Sequence, residues 1–216
     1  MISPRFDALI DARSTTQPFK LGLLGGTFDP VHYGHLLLAE QACEQFVLDG
    51  VLFVPAGQPV RKLGTGFADA AHRYHMLVAS TQDNPLFDVS RVELDRPGVT
   101  YTVDTLRTLA QQYGGKAALF FITGADATAD MATWKAPQEI ARLATILSAN
   151  RVCGGGVQLD TRGEGPDVQP DTRTFTIPTL ALSSQDIRFR LAAGCSVRYL
   201  VPEPARLYLK EHSLYV

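Results

Sequence analysis

Residues 19–48 constrain the fold of this chain more than any other stretch. "FKLGLLGG" (19–26) is a short apolar run stopped by two glycines, which reads as a buried strand. After "TFDPVH", the residues Leu36, Leu37, Ala39, Cys43, Phe46 and Val47 recur at helical spacing from Tyr33 to Leu48. A second apolar run, "GVLFVPAG" (50–57), then closes on Pro and Gly. Buried strands that are nearly all apolar, alternating with helices, indicate an α/β chain with a parallel sheet.

The rest of the chain continues the alternation. Helices are expected over 68–81, 101–115, 136–144, 183–194 and 202–215, and strands over 116–126 and 145–150. Residues 87–98 read as a strand running into a turn, and 174–183 as an extended segment. Residues 58–67 and the Gly-, Pro- and Asp-rich 153–172 read as loops. The first 18 residues look like a loose, flexible extension, with order beginning near Phe19. One domain over 19–216 is expected, with a small helical C-terminal subregion at about 183–216.

Bulk properties narrow the function by exclusion. A formal charge of -2 over 216 residues leaves no basic face for nucleic acid or an anionic membrane, so any phosphate site must be local. No apolar window is long enough to span a bilayer, and the N-terminus lacks the basic start and apolar core of a signal peptide. Cys43, Cys153 and Cys195 are odd in number and far apart, which fits a reducing cytoplasm better than a disulfide framework. The sequence is compatible with a homo-oligomer and does not specify one.

The junction "GGTFDPVHYGHL" (25–36) carries the chemistry. An open parallel sheet binds ligands beyond the carboxyl ends of its strands, and this junction lies at such an end. Gly25 and Gly26 let backbone approach a ligand closely. The next helix presents unpaired N–H groups and the positive end of its dipole, which suits phosphate. His32 and His35, three apart, face one side of its first turn, with Gly34 keeping the approach open. A lone histidine near a helix start is ordinarily a cap or surface residue, but here glycines, Asp-Pro and His-x-Gly-His coincide. His72 and His75 repeat the spacing, yet no Cys or carboxylate completes a zinc pattern beside either pair.

"GGTFDPVHYGHL" resembles the signature of the nucleotidyltransferase superfamily with its HxGH motif. "VPAGQPVRK" (54–62), "HRYHML" (72–77), "DRPGVTYTVDTL" (95–106), "FFITGADATADMATWK" (120–135), "LSSQDIR" (182–188) and "YLVPEPARLYLKEHSLY" (199–215) narrow the resemblance to the bacterial nicotinate-nucleotide adenylyltransferase family, over residues 19–216. The resemblance implies a Rossmann-like, doubly wound parallel sheet. It implies transfer of an adenylyl group from ATP to nicotinate mononucleotide, giving deamido-NAD and pyrophosphate in NAD biosynthesis. It further implies Mg2+ carried mainly on the ATP phosphates, and no metal site built by the protein.

Site residues follow from the same motifs. Gly25, Gly26, Thr27 and Phe28 would hold ATP, and His32 and His35 would stabilise the transition state and the leaving pyrophosphate. Ser183, Ser184 and Arg188 pair helix-start hydroxyls with a guanidinium, a phosphate grip that also reads as a plain capped helix. Gln185 stands where the family usually has Thr. Gly124 and Asp126 would lie by the adenosine, although Asp126 also reads as a helix cap. For nicotinate mononucleotide, the resemblance implies a backbone grip at Tyr101 and Thr102 and stacking on Trp134. Lys62 and Arg151 would meet its phosphate. Arg61 replaces the usual His beside Lys62. Two rivals remain open: a sister transferase with another phosphate substrate, and an inactive nucleotide-binding module.

Overall fold

A computed structural model of the chain describes residues 2–59, 67–152 and 172–216. Six parallel strands form one sheet: β1 (Phe19–Gly26), β2 (Gly50–Pro55), β4 (Phe87–Val89), β6 (Ala117–Gly124), β7 (Thr145–Val152) and β8 (Thr172–Pro178). Their order is β4-β2-β1-β6-β7-β8. Counted along the chain this is 3-2-1-4-5-6, the doubly wound Rossmann order, and it reverses between β1 and β6. The α/β reading is therefore correct. Two residues of the expected 58–67 loop form a short ladder instead. β3 (Gln58–Pro59) pairs with β5 (Val99–Thr100), a contact too short to leave any periodicity in sequence.

Helices cover both faces of the sheet. On one face pack α2 (Tyr33–Phe46), α3 (Ala70–Thr81), α7 (Ser184–Ala192) and α8 (Glu203–Glu211), through Ala39, Cys43, Met76, Leu77, Ile187 and Leu209. On the other pack α1 (Asp7–Asp11), α4 (Thr102–Tyr113) and α6 (Pro137–Leu143), through Ile10, Leu106, Leu109 and Ile140. A short α5 (Ala125–Ala129) follows β6 directly. Alternate strand residues feed the two cores: Val51 and Phe53 one, Leu52 and Val54 the other. All six residues of β2 are buried, as expected of a strand covered on both faces. Among the described residues no helix is long and apolar enough to cross a membrane.

The expectation of a loose N-terminal extension is corrected. Phe6 is 1% exposed and Ile10 0%, both inside the core on the α4 side. Phe6 lies against Phe19 and fills the space above Gly50, where a Cβ would come within 2.5 Å of its ring. Arg5 donates to the Phe87 carbonyl at 2.8 Å, and the Tyr113 hydroxyl donates to Asp7 at 2.9 Å. The polar "DARSTTQP" tail of the segment hides a two-residue apolar anchor that precedes it.

Candidate active site

Two cavities open at the carboxyl ends of the strands, on either side of the β1/β6 reversal. One, of about 480 Å3, is lined by His32, His35, Gly124, Arg151, Ser184 and Arg188 among others. The other, of about 400 Å3, is lined by Gly25, Gly26, Thr27, Tyr101, Thr102 and Trp134, with Phe121, Glu93 and Lys135. They are termed the histidine cavity and the aromatic cavity below.

The histidine cavity is set by the start of α2. His32 has extended backbone at the N-cap, and its N–H donates to Nδ1 of His35 at 3.2 Å. The His35 N–H donates back to the His32 carbonyl at 2.9 Å. An Nδ1 that accepts leaves Nε2 of His35 to bear the proton, so this ring is a neutral N–H donor. The two rings stack at 3.8 Å between centroids. A Cβ on Gly34 would come within 3.0 Å of the His32 ring, so the glycine gives that ring its place. Burial, aided by the Arg151 charge, lowers the His32 pKa to about 4. His32 is thus neutral near pH 7. Nδ1 of His32 is buried beside Gly34 at the start of α2, without a hydrogen-bond partner among the described residues.

Phe28 does not line either cavity. It is 1% exposed and stands edge-on beneath the His35 ring at 4.9 Å, a support rather than a contact surface. Ser183 caps α7 by accepting from the Asp186 N–H at 3.0 Å, and Ser184 donates to the Pro30 carbonyl at 2.9 Å. The Ser184 hydroxyl thus joins α7 to the turn after β1, the Ser183 hydroxyl stays within α7, and both residues line the cavity with Gln185. Arg188 donates to the Asp29 carbonyl at 2.7 Å and lies over the Phe67 ring.

The aromatic cavity is a slot between Trp134, Phe121 and the start of α4. Trp134 is half-buried and edge-on to Phe121 at 5.9 Å. Tyr101 is the N-cap of α4 without a side-chain cap bond, so backbone N–H groups at Thr102 are left for a ligand or water. Glu93, 9% exposed, accepts from Thr105 at 2.7 Å, and burial raises its pKa.

Three expectations change. Gly25, Gly26 and Thr27, assigned by resemblance to ATP, line the aromatic cavity and not the histidine cavity. Asp126 is exposed in the first turn of α5 and lines neither cavity, because the chain turns into helix directly at Gly124. Arg151, assigned by resemblance to the mononucleotide, lies in the histidine cavity, where β7 ends beside β6. Gly124 lines that cavity as well. Lys62 and Arg61, and the 153–171 stretch with Cys153, lie outside the described residues.

Three residues behind the site escaped the sequence reading. Arg73, 4% exposed, donates to the carbonyls of Thr27 and Ala56, both at 2.8 Å, and of Ala68 at 3.2 Å. It falls on the same α3 stripe as Met76, Leu77 and Ser80, so its spacing was the available signal. Asp29, 1% exposed, accepts from the Ala68 N–H at 3.0 Å and from the Tyr215 hydroxyl, and lies 3.4 Å from Arg188. Nothing in a lone Asp or a distant Tyr announces that tie. Among the described residues, no group of three or more His, Cys, Asp or Glu converges on a point where a metal ion could sit.

Comparison with known proteins agrees with this geometry. Residues 23–190 match the model of the "Cytidylyltransferase-like" family. A protein of Thermoanaerobacter sp. (strain X514), named "Probable nicotinate-nucleotide adenylyltransferase", is 41% identical over 203 residues, 91% of this chain and 94% of its own length. One of Arthrobacter sp. (strain FB24), with the same name, is 46% identical over 192 residues, 89% of each chain. A solved structure described as "Plasmodium falciparum nicotinic acid mononucleotide adenylyltransferase complexed with NaAD" shares the fold. Its TM-score is 0.70 at 16% identity, over 91% of this chain and 97% of that one.

Proposed function

The chain belongs to the cytidylyltransferase-like family and, within it, to the nicotinate-nucleotide adenylyltransferases, and from that premise we propose how its own residues transfer an adenylyl group from ATP to nicotinate mononucleotide. The products are deamido-NAD and pyrophosphate. The observation that carries the reading is the pair of stacked imidazoles at the start of α2, beside an aromatic slot across the sheet reversal.

The histidine cavity takes ATP. Gly25, Gly26 and Thr27 form the floor between the two substrates. The α7 N-terminus, Ser183, Ser184 and Arg188 hold the outer phosphates. The Nε2–H of His35 and the His32 ring donate to oxygens on which charge builds as the α-phosphorus becomes five-coordinate and pyrophosphate leaves. Such donors need no proton transfer; they lower the barrier by charge stabilisation and positioning. Arg151, beside His32, and Lys62 serve the mononucleotide phosphate where it meets the α-phosphorus. The pyridine ring enters the aromatic slot against Trp134, and its carboxylate meets the N–H groups at Tyr101 and Thr102.

A magnesium ion would ride on the ATP phosphates, where it would neutralise part of their charge. Cys43 and Cys195 are free thiols, in keeping with a cytoplasmic setting.

The test is pyrophosphate release with ATP, Mg2+ and either nicotinate or nicotinamide mononucleotide. Release with a preference for nicotinate is expected. His35→Ala should fold normally and lose about a hundredfold or more in kcat. Full activity of that variant would remove His35 from the mechanism. Release with neither mononucleotide would remove the substrate assignment.

A further inference from the structure

Resting on the pyridine site just described, we propose that Lys135 is a specificity-determining residue, the cation that favours a carboxylate over an uncharged amide on the pyridine ring. Among the described residues, Lys135 and Glu93 are the two charged side chains lining the aromatic cavity. They are differently placed. Glu93 is buried and held by the Thr105 hydroxyl, with the Arg96 guanidinium donating to Thr105 at 3.2 Å behind it. Lys135 sits at the mouth, its Nζ 4.3 Å from the centre of the Tyr101 ring. That ring belongs to the N-cap of α4, the turn whose free N–H groups face the slot. Ammonium, helix N-terminus and aromatic walls therefore meet at one place, which is what a flat ring with an anionic substituent requires.

The fold does not need Lys135 there. Its partner is Asp104, at 2.8 Å, with side chains 46% and 26% exposed. A pair so open contributes little to stability. Asp104 is also bound by Arg107 at 2.7 Å, which pairs in turn with Glu139. With a second cation on Asp104, Lys135 can share its charge with an incoming carboxylate without leaving an acid unpaired. An amide at the same position gains nothing from the ammonium.

The experiment measures kcat/KM for nicotinate and nicotinamide mononucleotides with the natural chain, Lys135→Met and Lys135→Arg, at low and high salt. Lys135→Met is expected to lose roughly fivefold on nicotinate mononucleotide and nothing on the nicotinamide form. Lys135→Arg should keep the preference. The natural chain's preference should shrink as salt rises, and that of Lys135→Met should not respond. Equal losses on both mononucleotides would mean a merely structural lysine, and unchanged kinetics an idle one; either overturns the inference alone. Turnover of neither by the natural chain would instead overturn the proposed function, and this inference with it.

Discussion

A buried imidazole loses more hydration on protonation than its surroundings return, and at His32 the neighbouring Arg151 charge adds to that cost. With a folded pKa of about 4 against an ordinary 6.5, the unfolded chain takes up a proton over that interval while the folded chain does not. The contribution is therefore intact above pH 6.5 and is lost as pH falls toward 4. Its full size is about 3 kcal/mol, from the shift of two to three pH units. Denaturant midpoints measured between pH 7 and pH 4 should fall more steeply for the natural chain than for His32→Gln. Parallel curves would mean that His32 is not held neutral. Arriving phosphate reverses the balance, so ATP binding below pH 6.5 should take up protons. Residues of this kind are half legible in sequence. The pattern His-x-Gly-His gives their identity, while their protonation depends on burial and on Arg151, more than a hundred positions away.

At the scale of elements, the turn after β1 is held from outside itself. Arg73 of α3 binds its Thr27 carbonyl, Ser184 and Arg188 of α7 bind the carbonyls of Pro30 and Asp29, and Tyr215 beyond α8 binds the Asp29 carboxylate. Tyr215→Phe removes one donor from a buried carboxylate. It should lower stability by about 1–3 kcal/mol. Because Asp29 also holds Arg188, the KM for ATP should rise more than kcat falls. A melting temperature and KM both unchanged would show that the tie is not made. The elements themselves were easy to read, since apolar runs and helical spacing mark them locally. The ties were not, because hydrogen bonds to backbone carbonyls and a Tyr–Asp pair 186 positions apart leave no local pattern. Val47 shows the opposite failure: it extends the apolar series of α2, yet it is the left-handed C-cap and 73% exposed.

Across the whole molecule, the sheet has two ends with different duties. Both cavities open at its carboxyl end. At the amino end Phe6 and Ile10 close the core over Phe19 and Gly50. Phe6→Ala should cost about 3–5 kcal/mol, as large-to-small changes of a buried aromatic do, and leave turnover per folded molecule unchanged. The melting temperature and single-temperature kinetics check both halves; a parallel loss of turnover would mean that the ends are coupled. The sequence pointed to the strand order only through its alternation of strands and helices, and missed the amino-end seal because two apolar residues are too few to set a period. That division of labour has an engineering consequence. A search for heat-tolerant variants can be confined to residues 2–18 and the strand starts they cover, and a search for altered substrate choice to the loops at the other rim. Gains from the two searches, lying far apart in space, should then combine additively in one chain.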